Sequence, residues 1–243
     1  MPRRVRNDLF RHGEVAQLEF GSVLNEADKP LGHVYFPLTA FMATIPGADD
    51  ASQEIGLIGD EGMLGATLAI DVDAVPWRAV VQGSGTTLRI GAPAFTRVLR
   101  RSGTLRRLLR RYLGVVADQQ LQGSSCNRTH HLEARLARRL LMMHDRAHTA
   151  RFNLTQDFLT EMLNARRVDI GVATASLRRR RLITYARGSV RIVERAKLEA
   201  ASCQCYELGL ALYRRALGSP ERRANVSGSA RHDQQEHTRH QHA

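Results

Sequence analysis

The stretch LTQDFLTEMLNARRVDIGVATASLRRRRLITYARGSVRIV, residues 154–193, decides the reading of this chain. It holds a short helical pattern, a turn, a second helical pattern opening on Arg166 and Arg167, and two strand-like runs around Arg187-Gly188. Thr155 is an N-cap residue for the first pattern, followed by Gln156 and Asp157, where an oxygen acceptor and negative charge suit the free N–H groups of a helix start. Phe158, Leu159, Met162 and Leu163 supply its buried side, and Asn164 suits the left-handed turn that follows. The second helix is expected over residues 166–178. Ile170, Ala173 and Leu177 face the core, while Val168, Gly171, Val172 and Ala175 leave a slim opposite side. A helix of that calibre enters the major groove of DNA and reads base edges from near its N-terminus. Arg166, Arg167, Asp169 and Val172 occupy that end, and an arginine there can pair bidentately with guanine. Arg178 opens a run of four arginines and Arg187 sits at the tip of the expected wing, both placed for phosphate contacts that add affinity without sequence information. Thr155 and Gln156 join these residues as candidate DNA contacts.

Working outward, a helix is expected from about residue 129 to 148, with Leu132, Leu136, Leu140 and Met143 inward. Gly123-Ser124-Ser125 and Cys126-Asn127-Arg128 read as a hinge before it. The longest helix lies upstream, over 103–124. Leu105, Leu108, Leu109, Tyr112, Leu113 and Val116 form one apolar stripe on it, opposite Arg106, Arg107, Arg110 and Arg111. That stripe is expected to be a dimer seam, with packing on the chain's own barrel as the alternative. A short helix over 92–101 carries Pro93 in its first turn. Residues 18–91 read as short strands broken by turn residues: 33–36, 41–45, 52–58, 78–81 and 86–90. A last helix is expected over 195–217. Beyond it the chain is rich in Gly, Ser, Gln, His and Arg, and a disordered tail is expected over 218–243.

Composition bounds the partners. The 243 residues carry a formal net charge of +12, which points to an acidic partner. The charge is uneven: residues 13–96 hold three basic and eleven acidic side chains, whereas 97–150 hold twelve and three. Almost all the positive charge is arginine, which suits bidentate phosphate and guanine contacts. Three cysteines are too few for a disulfide scaffold, and no run approaches the roughly 20 apolar residues of a membrane span. A soluble, cytoplasmic protein without a membrane partner is expected. No GxxxxGK[ST] loop or HExxH motif is present, and no enzyme activity is expected.

From about residue 18 to 216 the chain resembles the Crp/Fnr family of bacterial transcription regulators. The resemblance rests on HVYFP at 33–37, EIGLIGDEGMLG at 54–65, the apolar-faced helix at 103–124 and the helix-turn-helix itself. It implies an α+β chain: a cyclic-nucleotide-binding-type β-roll over 1–102, a dimerisation helix and hinge over 103–128, and a winged helix-turn-helix over 129–217. It further implies a homodimer on pseudo-palindromic double-stranded DNA, transcription regulation and RNA polymerase as a further partner. Val168 stands about where cyclic-AMP-responsive members carry a base-reading glutamate, so a different operator is expected. The implied effector pocket falls on Gly65, Ala66, Trp77 and Arg78. Ala66 lacks the carboxylate that would accept a ribose hydroxyl, and Trp77 stands nearer than Arg78 to the place of the phosphate-binding arginine. These departures speak against a cyclic nucleotide, and no cofactor is identified. The first cysteine is Cys126, so the N-terminal cysteine cluster of the iron–sulfur branch is missing.

Weaker constellations remain. Cys203 and Cys205 alternate on the expected last helix, a poor geometry for chelation. Cys126 with His130 and His131 lacks an acidic orienter for catalysis, and no metal site is expected. His232, His237, His240 and His242 read as ordinary tail residues. The competing functional reading is a ligand-binding module whose helical half docks a protein partner.

Overall fold

The computed structural model describes residues 1–47, 56–149 and 151–218. The expected disordered tail beyond 218, with its four histidines, lies outside the described residues. So do residues 52–55 of the strand expected over 52–58.

The chain opens with helix α1 (Arg3–His12) and continues into a roll of seven strands: β1 (Gly13–Leu18), β2 (Val23–Asn25), β3 (His33–Pro37), β4 (Phe41–Pro46), β5 (Gly56–Ile58), β6 (Trp77–Gly83) and β7 (Gly85–Gly91). A 3-10 turn, Ala66–Ile70, connects β5 towards β6. The strands form two antiparallel sheets, ordered β1-β7-β3 and β2-β6-β4-β5. Strand residues alternate between faces, and here both faces of each sheet are put to use. The inner faces meet in a cluster of Leu18, Tyr35, Ala40, Met42, Ile58, Leu64, Ala79 and Val81, with Leu24 and Trp77 packed against it.

The outer face of the three-stranded sheet carries Val34, Leu88 and Ile90, which pack with Leu9 of α1 and with two further helices. These are α2 (Ala92–Arg101), bearing Phe95, Val98 and Leu99, and α3 (Gly103–Thr129), bearing Leu105, Leu109 and Tyr112. Ser102 caps α3 by accepting a hydrogen bond from the Leu105 amide at 3.2 Å. Part of the stripe expected to be a dimer seam packs within the protomer. Leu105, Leu109 and Tyr112 are buried inside the protomer, and Leu108, Leu113 and Val116 are half-buried beside them. Apolar residues of α1, α2 and the 3-10 turn already cover that face. The expected hinge is corrected: residues 123–128 are helical and α3 runs unbroken through them to Thr129, capped by His130.

The outer face of the other sheet carries Phe41, Ala43, Ile45 and Leu57 into the largest cluster, which continues through the C-terminal third of the chain. That third comprises α4 (Leu132–Ala147), β8 (Arg151–Asn153), α5 (Gln156–Leu163), α6 (Arg167–Arg179), β9 (Ile183–Ala186), β10 (Ser189–Ile192), α7 (Arg195–Ala201) and α8 (Cys205–Leu217). Leu136, Leu140 and Leu141 of α4 meet Ile170, Ala173 and Leu177 of α6 in this core. The single last helix expected over 195–217 is two helices, α7 and α8, broken at Ser202–Gln204. Strand β8, which the sequence did not announce, joins the wing as an outer strand in the order β8-β10-β9.

A buried ion pair joins roll to helices. Glu61 lies in the turn after β5, and its Oε1 accepts from Arg146 Nε at 2.8 Å and lies 2.7 Å from Nη2. Arg146 Nη1 also donates to the Met142 carbonyl at 2.8 Å. Burial opposes the charge of Arg146, and the Glu61 carboxylate more than offsets it, so the guanidinium stays charged. Gly59 leaves the necessary room: a Cβ there would sit 2.6 Å from Arg146 Cγ. His148, just past the end of α4, lies 3.2 Å from Asp60 in the same turn.

Candidate nucleic-acid interface

Local chemistry fixes the two helices of the motif. Thr155 Oγ1 accepts from the Phe158 amide at 3.1 Å, capping α5, and Asn164 ends it at φ +45°. That left-handed residue turns the chain into α6. Ile170, Ala173, Thr174 and Leu177 are buried on the inner side of α6. On its outer side Val168 is 74% exposed and Val172 is 64% exposed. Two β-branched apolar side chains one turn apart are thus left in water, flanked by Gly171 and Ala175, which add no bulk.

The charged head of α6 is ordered by carboxylates. Arg166 Nε and Nη2 donate to Asp169 Oδ2 and Oδ1 at 2.8 and 3.2 Å, and Arg166 is fully exposed. Arg167 reaches back to α5, with Nε donating to Gln156 Oε1 at 3.3 Å and Nη1 lying 3.2 Å from Asp157 Oδ1. The forks of both guanidiniums are therefore held in place on the solvent side, which lowers the rotamer entropy lost on binding. Arg178 to Arg181 are all exposed, although Arg180 is engaged with Glu133 of α4 at 2.7 Å. At the wing tip Arg187 and Gly188 have φ of +51° and +71°, the two consecutive positive values of a type I′ hairpin turn. This turn leaves Arg187 exposed at the apex. Thr155, Gln156, Arg166, Arg167, Asp169, Val172, Arg178 and Arg187 thus belong to the helix-turn-helix and its wing, though the hydroxyl of Thr155 is occupied as a cap.

The expected effector residues do not converge. Gly65 starts the 3-10 turn at φ +89°, and a Cβ there would meet Val34 Cγ1 at 2.7 Å. Ala66 is buried in the cluster between roll and helices, whereas Trp77 packs against the roll interior. Arg78, the next residue of β6, is exposed on the other face of the strand. Strand alternation separates Trp77 from Arg78, and Tyr35, Met42 and Leu64 fill the space between the sheets. A small polar cavity of about 70 Å³ lies instead at the junction of β5, α3 and α4, where Gln119, Gln120, Asn127, Arg135 and Arg138 are among its lining residues.

The expected geometry of Cys203 and Cys205 on one continuous helix is corrected as well. The break between α7 and α8 brings Cys203 and Cys205 up to Cys126 and His130. Sequence reasoning missed this because it drew a continuous helix through both cysteines. His131 takes no part, and it precedes α4 at its N-cap.

With this geometry in view, residues 134–201 match the family described as the Crp-like helix-turn-helix domain. The chain carries a Crp-like helix-turn-helix domain on a Crp/Fnr fold. The Crp/Fnr fold recurs in solved structures with little sequence in common. FixK2 of Bradyrhizobium japonicum is 12% identical, covering 79% of this chain and 98% of its own, at a TM-score of 0.65. A Crp/Fnr-family protein of Eubacterium rectale is 12% identical over 83% of this chain and 94% of its own, at 0.63. A CRP-family regulator of Thermus thermophilus is 16% identical over 77% and 96%, at 0.59. No curated protein matches in sequence. Among the described residues no helix is long and apolar enough to cross a membrane.

Proposed function

We propose that this Crp/Fnr-type chain is a sequence-specific, DNA-binding transcription regulator that acts as a homodimer. The observation that carries this reading is the outer side of α6, where Val168 and Val172 stand in solvent beside two carboxylate-held arginines. Apolar contact with thymine methyls and bidentate donation to guanine are the two chemistries such a surface offers a major groove. Asp169 adds an acceptor for cytosine, and its pairing with Arg166 sets a competition: a base that takes the guanidinium must compete with the carboxylate. Arg178 and Arg187 flank the groove as phosphate contacts, and Gln156 aims Arg167.

The homodimer seam falls on the free side of α3. Leu105, Leu109 and Tyr112 of the expected stripe are buried in the protomer, while Gly114, Ala117 and Leu121 line up exposed on the helix, with Leu121 72% exposed. Small residues beside one exposed leucine allow two helices to approach closely. Two such protomers would present their recognition helices to half-sites about one DNA turn apart, roughly 34 Å. The roll then acts as a packed support; its filled interior argues against a cyclic nucleotide between the sheets.

Selection from random-sequence duplexes, followed by gel shift at two salt concentrations, tests the proposal. A two-fold symmetric consensus bound by a dimer is the expected result. A monomer indifferent to base order overturns it, and weak salt dependence with capture of a protein instead favours the docking-module reading.

A further inference from the structure

Four side chains with no part in DNA reading meet where α3 ends against the start of α8. Cys126 lies in the last turn of α3, and His130, the C-cap four residues on, donates its amide to the Cys126 carbonyl at 3.1 Å. Cys203 and Cys205 flank the turn between α7 and α8. The ligand atoms of all four lie within 4.8 Å of one another. Cys126 Sγ is 3.5 Å from Cys203 Sγ, and Cys205 Sγ is 3.8 Å from His130 Nδ1. The three cysteines are buried free thiols and the imidazole is half-buried.

We propose that Cys126, His130, Cys203 and Cys205 bind one zinc ion in a closed tetrahedral site. Three thiolates and one imidazole are a ligand set of structural zinc, and four protein ligands leave no open position for substrate. A zinc–sulfur bond of about 2.3 Å at tetrahedral angles puts sulfurs about 3.8 Å apart. The 3.5 Å between Cys126 Sγ and Cys203 Sγ comes close to that edge, and the 3.8 Å between Cys205 Sγ and His130 Nδ1 comes close to the sulfur–nitrogen edge of about 3.6 Å. A single ion fits within the 4.8 Å limit, whereas a multi-iron cluster spreads its cysteines more widely.

The surroundings suit the charge. Zinc with three thiolates and a neutral imidazole carries one net negative charge. Arg138 and Arg135 of α4 interact electrostatically with the Cys126 thiolate, and Arg135 does so with Cys203 as well. On binding, zinc displaces the thiol protons to solvent. The bound ion ties the last turn of α3 to a turn 77 residues later, fixing α8 against the helix that leads out of the roll.

The test uses the full chain, purified without chelator or added metal and assayed by plasma mass spectrometry. About one zinc per chain is expected, falling close to zero in Cys203→Ser and Cys205→Ser. Where those variants do not fold by circular dichroism, the wild-type protein decides through cobalt. Stripped and reloaded with Co²⁺, it is expected to show sulfur-to-cobalt charge transfer and the intense visible bands of tetrahedral coordination. Zinc below about a tenth of an equivalent together with no tetrahedral cobalt spectrum overturns the proposal. So does iron in place of zinc, or a Cys126–Cys203 disulfide in protein prepared without oxygen.

Discussion

The space between the two sheets of the roll and the outer side of α6 treat apolar residues in opposite ways. Between the sheets Met42, Leu64 and Val81 are fully buried against one another. On α6, Val168 and Val172 are left in water although the same helix buries Ile170 and Leu177. A residue buried in this way contributes about 1.5–3 kcal/mol of transfer free energy, and an exposed one contributes none until a partner arrives. The roll interior is therefore spent on stability, whereas α6 leaves part of its apolar surface uncovered, the surface that the proposed DNA contact would use.

Four substitutions sharpen or break that contrast. The largest effect is expected at the joint between the regions. Glu61→Ala leaves the Arg146 guanidinium buried without its carboxylate, and urea denaturation is expected to show a loss of about 3–5 kcal/mol. Next, Met42→Ala opens a void in the roll at a cost of about 2–5 kcal/mol. A near-neutral result there, or thermal stabilisation by a cyclic nucleotide, would mean that the sheets part to admit a ligand and would collapse the contrast. On the other side, Arg167→Ala is expected to leave stability unchanged and to weaken operator binding by about 1–3 kcal/mol, relaxing one base preference in a competition gel shift. An equal loss on every duplex would reassign Arg167 to phosphate. The smallest effect is Thr155→Ala, which removes the cap of α5 and is expected to lower stability by about 1 kcal/mol in the same urea experiment.

What the sequence made legible follows from the range of each interaction. The helix-turn-helix could be read because its signals are local: a cap at Thr155, a left-handed residue at Asn164, and a period that separates Ile170, Ala173 and Leu177 from Val168 and Val172. The wing tip at Arg187-Gly188 was equally local. Strand β8 was not, since three residues carry no period and are strand only through pairing with β10. The face of α3 was also beyond reach of pattern alone. Leu105, Leu109 and Tyr112 form an apolar stripe whether it meets a second copy or the chain's own α1 and α2, and only tertiary packing chooses. The cysteine cluster depended on a break at residues 202–204 that no proline or glycine marks.

The core that runs from Phe41, Ala43, Ile45 and Leu57 into the winged helix has a consequence for how the molecule comes apart. Neither half owns its apolar surface outright. Severing the chain between them would strip the cover from a sheet face on one fragment and from α4 on the other, inviting each to aggregate. The roll and the winged helix are thus one melting unit, and heat should meet a single cooperative collapse rather than two successive ones.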